Sequence, residues 1–201
     1  MTGNYYSVNT LENIARNTIK QYDEYFLNFE PQAIPIERII EDAYGLNIDF
    51  MRLTIAGNEL GRMVCENGYS TRFAPDKDDY ELVKVTEGTM LIESRLLEKP
   101  QYHGRYRFTL AHELAHWIIH KHLFKGTSTA AAHYKSDVRG LNTIEWQADY
   151  LAAAILMPAG LVKRAFHRVR NEKVDIIKKL AEIFEVSKQA MRIRLEELGL
   201  I

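Results

Sequence analysis

Cysteine is almost missing from this chain, with Cys65 alone among 201 residues. One thiol closes no internal disulfide, so the fold rests on its core, and any metal site must be built from histidines and carboxylates. The same scarcity suits a reducing cytoplasm. Neither sign of charge is in excess: 26 Lys and Arg stand against 27 Asp and Glu, a formal net charge of -1, which excludes a global attraction to nucleic acid. Long apolar runs are also lacking. The stretch from Tyr150 to Val162 carries no charge or histidine, but Pro158 interrupts it and it falls short of the about 20 residues a bilayer needs. The first residues show no basic head followed by an apolar stretch, so no secretion signal is expected. Repeats and low-complexity segments are absent as well. The expectation is a cytoplasmic protein with no membrane partner.

What is present is enough for a core, since 46% of residues are hydrophobic and 26% charged. At about 150 residues per domain, the length fits one domain or two small ones. Leu11, Ile14, Ala15, Ile19, Tyr22 and Phe26 recur at three- and four-residue steps and predict a first helix, ended by Pro31 and Pro35. Ile36, Ile39, Ile40 and Ala43 predict a second, short helix stopping near Gly45. From about Asn47 to Ser94 the segments NIDFMRL, RMVCE, ELVKV and TMLIES are short and rich in strand formers, predicting a small, mostly antiparallel sheet. The helical period returns from Tyr106 to His122 and again from Thr143 to Met157, with shorter helices after Pro158 and a last pair closing at Gly199. The expected class is α+β, divided into N-terminal helices (1–46), a core (47–158) and a C-terminal helical region (159–201).

The helix from Tyr106 holds four of the seven histidines, and His112, Glu113, Leu114, Ala115, His116 spell H-E-x-x-H. Two histidines four residues apart share one helix face and can reach one zinc ion, with Glu113 beside it. A catalytic zinc takes three protein ligands and keeps a position open for water, so a third ligand is required. His120 lies eight residues from His112, about 12 Å of helix rise, too far for both to reach one ion; it is expected to be a structural or surface histidine. His122 has the spacing of a metalloprotease third ligand, but Ile119 stands where that arrangement needs a glycine turn. His133 lies in a long polar segment between the helices. Glu145 is the best candidate, because it opens E-W-Q-A-D on the second helix with Asp149 one turn on. Asp149 could then accept the free ring N–H of a ligating histidine and fix its tautomer. Ala148 between them is small enough to let the two helices approach.

RFTLAHELAH followed by EWQADYLAAAILMP resembles the paired motifs of the ImmA/IrrE family of metallopeptidases, over about Ile48 to Pro158. The resemblance implies a zincin-like fold in which the sheet packs against the H-E-x-x-H helix and a second ligand helix. It implies one Zn2+ held by His112, His116 and Glu145, a gluzincin-like set, with Glu113 as catalytic base. Ala115 stands where members commonly have Gly, and Asp149 where they often have Asn. Neither change removes a ligand. Characterised members act on helix-turn-helix repressors, so the implied activity is a regulatory zinc metallo-endopeptidase with such a repressor as protein substrate. Glu113 would take a proton from the attacking water and return it to the leaving amine. His133, Tyr134 and Arg139 are candidates for oxyanion or substrate contacts, and the strand near Thr89 to Ser94 is expected to pair with an extended substrate.

The tail competes with this reading. Residues 159–201 carry 10 basic and 6 acidic side chains, and IIKKLAEIFEVSKQAMRIRLEELGL has two helical runs around a turn, with Ser187 as cap for the second. It resembles a helix-turn-helix, in which Lys188, Gln189, Arg192 and Arg194 could face DNA. Against that, the usual turn glycine is replaced in the region of Glu185, and the charge excess is modest. The alternative function is therefore a DNA- or protein-binding transcriptional regulator with a structural or vestigial zinc site. The intact Glu113 favours the enzyme, because a structural site has no use for a base.

Overall fold

The computed structural model describes residues 6–124 and 143–201. Helix α1 (Val8–Tyr22) starts at Ser7, whose hydroxyl accepts from the Thr10 N–H at 3.2 Å, and it buries Leu11, Ala15, Thr18 and Ile19 on one face. It stops before the expected Phe26. Asp23 takes an extended backbone, and its carboxylate accepts from the Tyr25 N–H at 2.9 Å to open a separate turn, α2 (Tyr25–Asn28). A side chain that offers the backbone a local partner competes with the helix. Helix α3 (Ile36–Arg38) widens into a π turn at Ile39–Ala43 and ends before Gly45, whose φ of +62° suits glycine.

Five strands follow: β1 (Asn47–Met51), β2 (Gly61–Met63), β3 (Gly68–Ala74), β4 (Asp79–Val85) and β5 (Thr89–Glu93). They form two sheets rather than one. In the first, β5 lies between β1, which runs parallel to it, and β2, which runs antiparallel; the second is the antiparallel hairpin β3–β4. Mostly antiparallel is thus right, with the β1–β5 pairing as the exception. β3 escaped the sequence reading because a glycine opens it and polar residues fill its middle.

The expected substrate edge at Thr89 to Ser94 needs correction. β5 is buried at all five positions and paired on both sides, so it has no free edge to offer. The edge strand that nears the H-E-x-x-H helix is β2. Beneath the sheet, Glu93 is 1% exposed and accepts from the Leu53 N–H at 2.9 Å and from Arg95 Nε at 2.9 Å. Burial alone would raise its pKa, but the Arg95 guanidinium and the N–H groups of Leu53 and Arg95 hold the carboxyl below its ordinary range.

Helix α4 (His103–Ala115) continues through a π turn at His116–His120 into α5 (Lys121–Phe124). Arg107 donates to the Ile34 carbonyl at 2.7 Å, and the Tyr106 hydroxyl to Glu37, which fix α4 against the α3 segment. Helix α6 (Ile144–Leu156) is capped by Thr143, which accepts from the Trp146 N–H at 3.0 Å. Ala111, Ala115, Ala148 and Ala152 are all fully buried where α4 and α6 meet, and their small side chains allow the close approach. Helices α7 (Ala159–Val169), α8 (Ile176–Phe184) and α9 (Lys188–Glu197) complete the chain.

One core cluster runs from Leu11 of α1 through Met90 and Ile92 of β5, Leu114 of α4 and Leu151 of α6 to Phe184 and Leu195 of the last pair. Gly104 marks how closely that pair sits on α4, since a Cβ there would come within 2.8 Å of the Ser187 nitrogen. Among the described residues no helix is long and apolar enough to cross a membrane.

Candidate metal centre

The i, i+4 spacing on α4 puts His112 and His116 side by side, with their Nε2 atoms 2.9 Å apart. α6 delivers Glu145 opposite them, its carboxylate oxygens 3.4 Å from His112 Nε2 and 3.6 Å from His116 Nε2. Tetrahedral ligands with bonds of about 2.1 Å stand about 3.4 Å from one another, so the three donors suit one zinc ion once the two imidazoles part by about half an ångström. Among the described residues these are the His, Cys, Asp and Glu side chains that converge so closely. Glu145 sits in the first turn of α6, where the helix N-terminus favours a carboxylate. His116 is buried, while Glu145 remains 42% exposed, so the site opens to solvent on the α6 side.

The electrostatics favour a cation. Burial disfavours a charged His112, yet hydrogen bonds to Asp149 and Glu145 and the nearby Glu113 outweigh it and push its pKa up to about 10. Burial likewise opposes a charged Glu145, but the two histidines hold its carboxyl well below the usual range. Three carboxylates around two imidazoles demand positive charge at the centre, which a divalent metal supplies in place of a proton.

Each histidine is held from behind. Asp149 Oδ1 accepts from His112 Nδ1 at 2.8 Å, the arrangement expected for that residue. The partner of His116 is His120, Nδ1 to Nδ1 at 3.1 Å, and His120 Nε2 lies 3.3 Å from Gln147 Oε1. His120 is 1% exposed, so the surface option for it is excluded. Burial, then the charge of His116, push its pKa down to about 4, which keeps the ring neutral. The distance that excludes it from the metal of His112 leaves it one helical step from His116, and that second i, i+4 spacing was the available signal. His122 is exposed and stands outside the cluster.

Glu113 is buried beside the pair, against β2. A Cβ on Gly61 would lie 2.7 Å from Glu113 Oε1 and 2.7 Å from Thr109 Cγ2, so glycine is what lets the strand approach the acid so closely. Gly61 was not singled out from the sequence; a glycine at the head of a strand was its only signal. His133, Tyr134 and Arg139 lie outside the described residues.

The four tail candidates divide. Lys188, Gln189 and Arg192 are exposed, with Lys188 Nζ 3.5 Å from Asp175. Arg194 is a correction: it is fully buried and cannot meet DNA. Its guanidinium pairs with Glu12 of α1 at 2.7 Å and donates to the Met157 carbonyl at 3.0 Å and the Tyr150 hydroxyl at 3.2 Å. The helical period fixed which face of α9 is apolar but not that a long arginine would reach across it to α1. Glu185 makes the turn between α8 and α9 with φ +52°, and its carboxylate reaches His103 of α4 at 3.1 Å.

A family model described as Peptidase_M78, IrrE N-terminal-like domain, matches residues 76–196, more than half of the chain. The match runs past Pro158 into the last helix pair, further than the paired motifs extend. No curated protein matches the chain. A solved Mycobacterium tuberculosis transcriptional regulator is similar at 16% identity and a TM-score of 0.47, over 92% of this chain and 46% of that one. The chain therefore spans less than half the length of that protein.

Proposed function

Because the chain belongs to the Peptidase_M78, IrrE N-terminal-like family, we propose that it is a zinc-dependent metallo-endopeptidase that cuts a regulatory protein in the cytoplasm. The observation that carries this reading is the convergence of His112, His116 and Glu145 with a buried Glu113 that is not itself part of the ligand cluster. His112 and His116 would hold the metal through Nε2 and Glu145 through a carboxylate oxygen, while the Asp149 carboxylate accepts from His112 Nδ1 and orients that ring. Zinc, when bound, supplies Lewis acidity that lowers the pKa of water to about 7 and polarises a carbonyl. Glu113 takes the proton from the attacking water and hands it to the leaving amine. Its burial against Gly61 limits the positions its carboxylate can adopt.

β2 is the strand that would hold the substrate. In its antiparallel ladder the Val64 N–H bonds to the Thr89 carbonyl and the Glu93 N–H to the Leu60 carbonyl, so the alternation directs the backbone groups of Gly61 and Met63 away from β5. An extended peptide added there would pass beside Glu113. The substrate class is a helix-turn-helix repressor. Incubation of the zinc-loaded protein with the cell's own repressors should yield defined fragments, and Glu113→Gln should retain zinc and yield none. Cleavage that survives Glu113→Gln would overturn the reading.

A further inference from the structure

We propose that His120 and Gln147 are positioning residues, a relay that fixes the tautomer of His116 so that its Nε2 lone pair faces the metal. The inference rests on the zinc reading above and adds to it a means of holding the second histidine that differs from the first.

The chemistry follows from what each group is able to donate. The Gln147 amide oxygen only accepts, so the His120 nitrogen 3.3 Å from it, Nε2, carries the proton. In a neutral imidazole the other nitrogen is then bare. His120 Nδ1 therefore accepts, and the atom 3.1 Å away, His116 Nδ1, must be the donor. A ring protonated at Nδ1 keeps its lone pair on Nε2, the atom that faces His112 Nε2 at 2.9 Å and Glu145 at 3.6 Å. His120 is 1% exposed and Gln147 2% exposed, so water has little access to exchange with these bonds. The two ligands are thus held in opposite ways. His112 leans on an anion, Asp149, whose side chain is 59% exposed, and His116 leans on a buried neutral pair. A carboxylate behind His116 would add one more negative charge to a centre that already holds Glu113, Glu145 and Asp149; a neutral relay orients the ring without it.

Two measurements on the full chain decide the matter. In the zinc-free protein with 15N-labelled histidine, long-range proton–nitrogen correlation should show His116 protonated at Nδ1 and His120 at Nε2. Zinc affinity is then measured by competition with a chelator for the wild type, Gln147→Leu and Gln147→Glu. Gln147→Leu removes the acceptor and should weaken zinc about 10- to 100-fold, with His116 in mixed tautomers. Gln147→Glu keeps an acceptor at the same place and should recover most of that loss. A merely structural Gln147 would lower the melting temperature and leave the tautomer unmoved. An Nε2-protonated His116 in the wild type, or equal zinc affinity in Gln147→Leu, overturns the relay. Should Gln147→Leu fail to fold, the wild-type spectrum still decides. If the wild type takes up no zinc the peptidase reading falls, while the spectrum judges the relay separately.

Discussion

The pair α4–α6 and the pair α8–α9 treat their polar side chains in opposite ways. In the first, five residues, His112, His116, His120, Glu145 and Gln147, turn toward one another and satisfy each other, with His116, His120 and Gln147 buried and Glu145 at the solvent side. In the second, Lys188, Gln189 and Arg192 stay on the surface, and the one arginine that turns inward, Arg194, ties α9 to α1 and α6. Convergence of this kind is expensive to maintain without a use, because each buried polar group needs its partner. A solvated row of cations needs no explanation beyond solubility. The first pair therefore speaks for chemistry and the second for architecture.

The contrast breaks most visibly at Glu113, the proposed base. Glu113→Gln should lower kcat by about 10²- to 10⁴-fold while zinc content, read by elemental analysis, stays at the wild-type level. If the helix pairs were equivalent scaffolds, that substitution would be silent. Next in size is the arginine inside the second pair. Arg194→Met removes the ion pair to Glu12, which keeps only its hydrogen bond from the Tyr150 hydroxyl on that side, and takes the arginine donor from the Met157 carbonyl; it should cost about 3 kcal/mol in urea unfolding. Exposed Arg192→Ala should cost less than about 0.5 kcal/mol in the same assay.

The sheet beneath the first pair offers a smaller, pH-dependent effect. Glu93 has a folded pKa held below its ordinary 4.5, so its contribution is complete above that value and is lost as the pH falls through the lower, folded one. Glu93→Gln should flatten the acid limb of the stability curve measured by thermal melts between pH 3 and 6, about the range set by that ordinary value. The smallest expected effect concerns the surface cations. Lys188→Ala and Arg192→Ala together should leave cleavage unchanged, and a strongly salt-dependent affinity for duplex DNA that they abolish would instead give the second pair a function of its own.

How much of this was legible in the sequence depended on whether a pattern could check itself. H-E-x-x-H and E-W-Q-A-D each specify a helix face, and the requirement that both meet at one ion points to Glu145, with Asp149 one turn on behind a histidine. The tail pattern carried no such cross-check. Its period located two helices and the Ser187 cap, which does accept from the Ala190 N–H at 3.0 Å, but a period cannot say what a long side chain at the edge of the apolar face will reach. The strands were harder again. Their pairing partners are remote in sequence, so the parallel β1–β5 contact, the split into two sheets and the place of Gly61 against Glu113 came from the fold. His120 reads from the sequence as a structural or surface histidine, and its burial decides for the first, but no local pattern names Gln147, 27 residues away, as its second partner.

Metal content of the purified protein beside Glu145→Ala tests the metal centre most directly. One zinc per wild-type chain, lost in the variant while its helical circular dichroism is kept, is the result expected from donors 2.9 to 3.6 Å apart. No zinc in wild-type protein prepared without chelator and none taken up on addition, or a full complement retained by Glu145→Ala, would contradict it.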